Sequence, residues 1–171
     1  MDGSDGSSAS DPAATGVVDR VSGLLEQRFL GVLVHQRVAA ARRQLQPVSV
    51  VLFEVDGLGS ADDEVKNQAL GVLGEVIRST LRECDAACRI GDLMAGAVLL
   101  DTTEAGAMWA AERVRGNLLA SPVGSELTIS AGIACYPTHA LGAAELVEMA
   151  GRALERAREQ GYDRVEIAPT D

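Results

Sequence analysis

The chain has 171 residues, of which 47% are apolar and 3% aromatic, and carries a formal net charge of -10. That length suits one domain with a real core, while the acidity argues against non-specific nucleic-acid binding, which needs a basic surface to displace counterions. So few rings predict no base-stacking platform, and no apolar run reaches bilayer length and no signal peptide is visible, which predicts a cytoplasmic location with no membrane partner.

Residues 1–16 are Gly, Ser, Asp and Ala with almost no large apolar side chains. Such a stretch cannot offset its ordering entropy and is expected to be a disordered tail, with the folded domain spanning 17–171. A structured turn at 19–24 leads into a helix over about 26–44, where Leu30, Val34, Val38 and Ala41 recur at helical spacing and Pro47 follows as a stop. Residues 48–55 are β-branched and apolar almost throughout, as in a central strand. Its end carries Glu54 and Asp56, two residues apart and so on one face. That placement suits a metal-binding pair, and it equally suits a strand emerging into water.

Ser60 is the expected N-cap of a helix running to about Leu81, with Asp62, Asp63 and Glu64 at its positive end and Leu70, Leu73, Ile77 and Leu81 inward. Short strands are predicted over 86–90 and 96–100, joined by a turn in which Gly91-Asp92 takes a positive backbone angle. The turn continues into Leu93, Met94 and Ala95. Asp101, Thr102 and Thr103 cap a helix to about Leu119, with Met108, Ala111 and Leu118 inward. Over 127–134, Leu127, Ile129, Ala131 and Ile133 alternate with Thr128, Ser130 and Gly132, the pattern of a strand. A last helix over 141–160 stops at Gly161, and 165–167 closes as a short strand. The order is helix, strand, helix, strand, hairpin turn, strand, helix, strand, helix, strand. It predicts an α+β fold with helices over a mostly antiparallel central sheet. Of the cysteines, Cys84, Cys88 and Cys135, none has close metal-ligand spacing to either histidine. Buried, inert thiols in a reducing compartment are expected, and no metal centre.

In this order the motifs resemble those of the GGDEF family, the diguanylate cyclases that join two GTP molecules into cyclic di-GMP, with their palm-like nucleotidyl-cyclase fold. Asp19-Arg20-Val21-Ser22-Gly23-Leu24 resembles the family's D-x-L-T-G-L opening. Phe53-Glu54-Val55-Asp56 sits where the family has a metal-holding D-x-D strand end, and Arg89-Ile90-Gly91-Asp92-Leu93-Met94-Ala95 stands in for R-(L/Y)-G-G-(D/E)-E-F. Thr128-Ile129-Ser130-Ala131-Gly132-Ile133-Ala134 matches T-x-S-x-G-x-A. Residues 153–161 match A-(L/M)-Y-x-A-K-x-x-G, with Arg158 at the lysine that meets phosphate.

The departures gather where the resemblance puts the active site. Leu93 replaces a metal-binding acid, Met94 the acid beside the reacting hydroxyl, Ala95 the aromatic and Asp92 the second glycine, and Glu54 alone retains the first-strand acid. The connection after Asp56 is shorter and lacks the G-H-x-x-G-D step. Two Mg²⁺ ions on a triphosphate need carboxylate oxygens, which Leu and Met do not supply. Each missing charge-stabilising group costs about 10² to 10³ in rate. No cyclase activity and no productive Mg²⁺ binding are therefore expected.

Family members often carry a second, inhibitory nucleotide site built on R-x-x-D five residues before the signature and an arginine on the following helix. Arg82-Glu83-Cys84-Asp85 precedes Gly91 by that interval, and Arg113 falls at the helix position. The resemblance thus implies a sensor that binds cyclic di-GMP through Arg82, Asp85 and Arg113. An arginine fork suits phosphate and purine faces, and Asp85 would accept from guanine. The plain alternative is a local Arg82–Asp85 salt bridge and a solvated Arg113. The rival function is a nucleotide-independent interaction module with Leu93-Met94-Ala95 as an exposed contact patch. With no fused output domain in view, a signal would pass through an unknown partner protein or a homodimer. GTP binding without turnover is a third reading, disfavoured by Asp92 and the short loop.

Overall fold

The computed structural model describes residues 16–170. The expected tail falls almost wholly outside the described residues. Gly16, at its edge, accepts a hydrogen bond through its carbonyl from Arg28 Nη2.

Four helices and five strands follow in the order α1 (Arg28–Gln44), β1 (Val48–Val55), α2 (Asp63–Thr80), β2 (Ala86–Arg89), β3 (Met94–Leu100), α3 (Glu104–Ala120), β4 (Ile129–Tyr136), α4 (Ala143–Glu159) and β5 (Val165–Ile167). They form one sheet in the order β2-β3-β1-β4-β5. β1 lies at its centre, antiparallel to β3 and to β4, and β5 adds in parallel to β4. This is the α+β, mostly antiparallel sheet covered by helices that the residue pattern predicts. The central strands are buried on both faces because helices cover both. α2 and α3 press Leu70, Leu73, Ile77, Ala111, Val114 and Leu118 onto one face, with Val51, Phe53, Leu99 and Ile133. α1 and α4 press Leu30, Val34, Val38, Leu146, Ala150 and Leu154 onto the other, with Val50, Leu52 and Val98. Every residue of β4 is buried, so the period-two pattern there separates two covered faces rather than inside from outside.

Two glycines set how closely the layers approach. A Cβ on Gly132 would stand 2.2 Å from the Ala150 carbonyl oxygen and from the Leu154 backbone nitrogen, so α4 rides directly on β4. A Cβ on Gly74 would stand 2.1 Å from the Ser22 carbonyl oxygen, which lets the 19–24 turn dock on α2. That turn is held by Asp19, whose carboxylate accepts from the Ser22 backbone N–H and hydroxyl, both at 2.7 Å.

Several local expectations are corrected. Asp62, not Ser60, caps α2, accepting from Val65 N–H at 3.0 Å. Neither Gly91 nor Asp92 takes a positive φ; β3 begins at Met94, so the hairpin closes by a bend instead of the left-handed turn. Met108 is only partly buried, and Ala107 and Val114 occupy the inner stripe of α3 with Ala111 and Leu118. Cys88 and Cys135 are buried, and burial pushes both thiols up to about 11, which keeps them protonated. Cys84 is exposed, against expectation.

Candidate functional site

Two places collect the residues singled out by sequence. The first is the C-terminal end of β1. Glu54 pairs with Met94 on one side and Ser130 on the other. Its carboxylate accepts from Arg158 Nε at 2.6 Å, and Arg158 Nη2 completes the fork on the same oxygen. Asp56 accepts from the Thr128 hydroxyl and the Ser130 hydroxyl, both at 2.8 Å, and from the Asp163 N–H at 3.1 Å. Both acids are thereby engaged by groups of the protein itself. Arg158, the residue at the phosphate-meeting position, bridges α4 to β1.

The hairpin tip adds no oxygen donors from side chains except Asp92. Leu93 is 8% exposed and Ala95 is fully buried, both in the core under α2 and α3, while Met94 packs on the opposite face. The Leu93 carbonyl is used by Val55 N–H at 2.9 Å. The tip is therefore not an exposed apolar patch, because strand β3 starts early and carries it into the sheet. Asp92 stands in water, 3.7 Å from Arg89, and Gly91 gives its carbonyl to Arg89 Nε at 3.0 Å. Arg89 also holds Asp19 at 3.0 Å. Burial alone would raise the Asp19 pKa, but hydrogen bonds from Ser22 and the Arg89 charge outweigh it and hold the carboxyl below its ordinary value. Among the described residues no group of three carboxylate, thiol or imidazole side chains is placed to hold a cation. The donor set at this end does not fit a pair of magnesium ions.

The second place is a cleft of about 260 Å³ between the end of α2 and the start of α3. Asp85, with a side chain 3% exposed, receives Arg82 through both Nε (3.2 Å) and Nη2 (3.1 Å), and also accepts from the backbone N–H groups of Arg82 and Leu100. In this geometry Asp85 positions Arg82. The Arg82 Nη2 further donates to the Leu100 carbonyl at 2.6 Å and to Thr102 Oγ1 at 2.8 Å. The bond to Asp85 raises the Arg82 pKa above its ordinary value, so the charge is permanent. Arg82 remains 55% exposed, a fixed cation at the rim.

Opposite it stand Thr103, the N-cap of α3, and Gly106, Trp109 and Ala110 of the helix. Arg113 does not line the cleft. Its guanidinium lies 4.9 Å from the centre of the Trp109 ring, one helical turn along. Of the three residues singled out by sequence, the cleft brings Arg82 and Asp85 together, while Arg113 reaches it only through Trp109; Trp109 and Thr102 were missed. The i,i+4 spacing of Trp109 and Arg113 on a predicted helix was the available clue.

The sequence matches the family profile described as diguanylate cyclase, GGDEF domain over residues 16–164. It is 27% identical over 160 residues to the diguanylate cyclase DosC of Escherichia coli, a stretch covering 88% of this chain and 35% of DosC. Over 167 residues it is 28% identical to DgcP of Pseudomonas aeruginosa, covering 92% and 25% respectively. The chain thus spans about a third or less of the length of these relatives. Among solved structures, the GGDEF domain of DgcB from Caulobacter crescentus in complex with c-di-GMP superposes with a TM-score of 0.82 at 16% identity, covering 90% of this chain and 94% of that one. With its fold, motif order and profile in agreement, the chain belongs to the GGDEF family. No helix among the described residues is long and apolar enough to cross a membrane.

Proposed function

We propose that residues 17–171 form a GGDEF domain that does not make cyclic di-GMP and instead binds it at the Arg82 cleft, as a sensor working through a partner protein or a second copy. The observation that carries this reading is the contrast in cation placement. At the signature end, Arg158 is neutralised by Glu54. At the cleft, Arg82 is anchored by Asp85 and still half open to solvent. A pre-oriented, permanently charged fork is suited to a phosphodiester. The loss of cyclase chemistry is supported by Leu93 and Met94 standing at acid positions and by the engagement of both β1 acids within the fold.

The interaction-module reading loses the patch it rested on, since Leu93 and Ala95 are buried. Two measurements test the proposal. Pure protein incubated with GTP and Mg²⁺ or Mn²⁺ is expected to form no cyclic dinucleotide above a blank; turnover would refute the inactive assignment. Calorimetry with cyclic di-GMP is expected to give near-micromolar binding, about -8 kcal/mol. No heat from the wild-type protein, or the same heat from Arg82→Ala, would end the sensor reading.

A further inference from the structure

The Arg82 cleft has a wall that motif matching does not supply. The chain contains one tryptophan, and it stands 62% exposed on α3. Aromatic side chains of this size normally contribute their area to a core or an interface; here Phe53 is buried at 1% and the indole faces water. Its helix neighbours on the cleft floor, Gly106 and Ala110, are the small residues that keep the space beside it open. Arg113 lies over the ring, 4.9 Å from its centre, without itself lining the cleft. Across the gap stands Arg82, with Nε and Nη2 consumed by Asp85, Leu100 and Thr102. Its Nη1 has no hydrogen-bond partner among the described residues.

From this geometry we infer that Trp109 is the purine-stacking wall of the cleft, with Arg113 bracing the ring and Arg82 taking the phosphate. The inference rests on the cyclic di-GMP reading above and adds to it the residue that recognises the base. It reverses two expectations drawn from sequence: that so few rings leave no stacking platform, and that Arg113 itself meets the ligand. One well-placed indole is enough, because base–aromatic stacking acts base by base. The cleft, at about 260 Å³, is smaller than the roughly 300–1,000 Å³ pockets that enclose whole ligands. It therefore takes one nucleotide arm of cyclic di-GMP, base on the indole and phosphate on the guanidinium, and leaves the other arm outside.

The test is a titration with cyclic di-GMP read two ways, by calorimetry and by tryptophan emission, which reports this position alone because the chain has a single tryptophan. The proteins are wild type, Trp109→Ala, Trp109→Phe, Arg113→Gln and Arg82→Ala, each checked for an unchanged thermal transition. Stacking predicts quenching of the wild-type emission, a loss of affinity of about ten- to a hundredfold in Trp109→Ala, and recovery to within a few-fold in Trp109→Phe. Arg113→Gln should lose only a few-fold. If wild type binds and Arg82→Ala does not, yet Trp109→Ala keeps full affinity or the emission is unmoved at saturation, the stacking role is wrong and the cyclic di-GMP reading survives. If wild type gives no heat, both fall together.

Discussion

The two ends of this sheet treat their charges in opposite ways. At the end of β1, Glu54 and Arg158 cancel each other, and Asp56 accepts from Thr128, Ser130 and the Asp163 backbone. At the Arg82 cleft, the same kind of ion pair is used differently: Asp85 is sealed inside and holds Arg82 at the rim with a donor to spare. A satisfied polar network stabilises a fold and offers a ligand nothing, whereas a network that leaves one fixed donor exposed is preorganised for an anion. The presence of charged residues at a motif position is thus a poor guide to function; what each has left to offer is a better one.

That contrast can be broken most forcefully at the signature end. Leu93→Glu puts an acid back where the family has one, but into a core position, and is expected to cost about 3 kcal/mol or more in urea denaturation. A variant of unchanged stability that gained Mg²⁺ affinity would mean the region is still a site. Next in size, Asp85→Ala leaves the Leu100 N–H without its acceptor and releases Arg82. It should lose about 1–3 kcal/mol of stability together with cyclic di-GMP binding. Unaltered affinity there would mean that Arg82 needs no anchor. Arg158→Gln removes a partly exposed pair and should cost only about 0.5–1 kcal/mol, less in high salt, with ligand affinity untouched. A larger loss of binding than of stability would place Arg158 in the ligand site after all.

The smallest effect concerns the turn that docks on α2. The Asp19 carboxyl titrates below its ordinary value of 3.8, so it binds fewer protons folded than unfolded. The stability it contributes is complete above pH 3.8 and is lost as pH falls through its folded value. Urea midpoints measured from pH 5 downward should fall more steeply for wild type than for Asp19→Asn, with no difference in slope above pH 5. Parallel curves at low pH would remove Asp19 from the account.

The order of helices and strands was legible from the sequence because burial imposes a period of 3.6 on α1, α2 and α4 and a β-branched run on β1. The missed boundaries are local competitions. Asp62 out-competes Ser60 as cap because its carboxylate reaches the Val65 N–H. The Gly91-Asp92 turn needs no left-handed angle because β3 picks up pairing already at Met94. Motif spacing likewise brought Arg82 and Asp85 together, but gave no sign that Arg113 lies over Trp109 outside the cleft.

From the sequence alone came the family, the fold and the replacement of acids by Leu93 and Met94, since each depends on which residue stands at which position along the chain. Which charges are spent and which remain available was decided only by the tertiary structure. The Arg158–Glu54 contact joins residues 104 apart in sequence and the Asp163–Asp56 contact residues 107 apart, and no local pattern encodes such distances. Trp109 belongs to the same class. On a helix read by itself it is one more ring, and only the arrival of the α2 end and Thr102 on the other side of a cleft turns it into a wall.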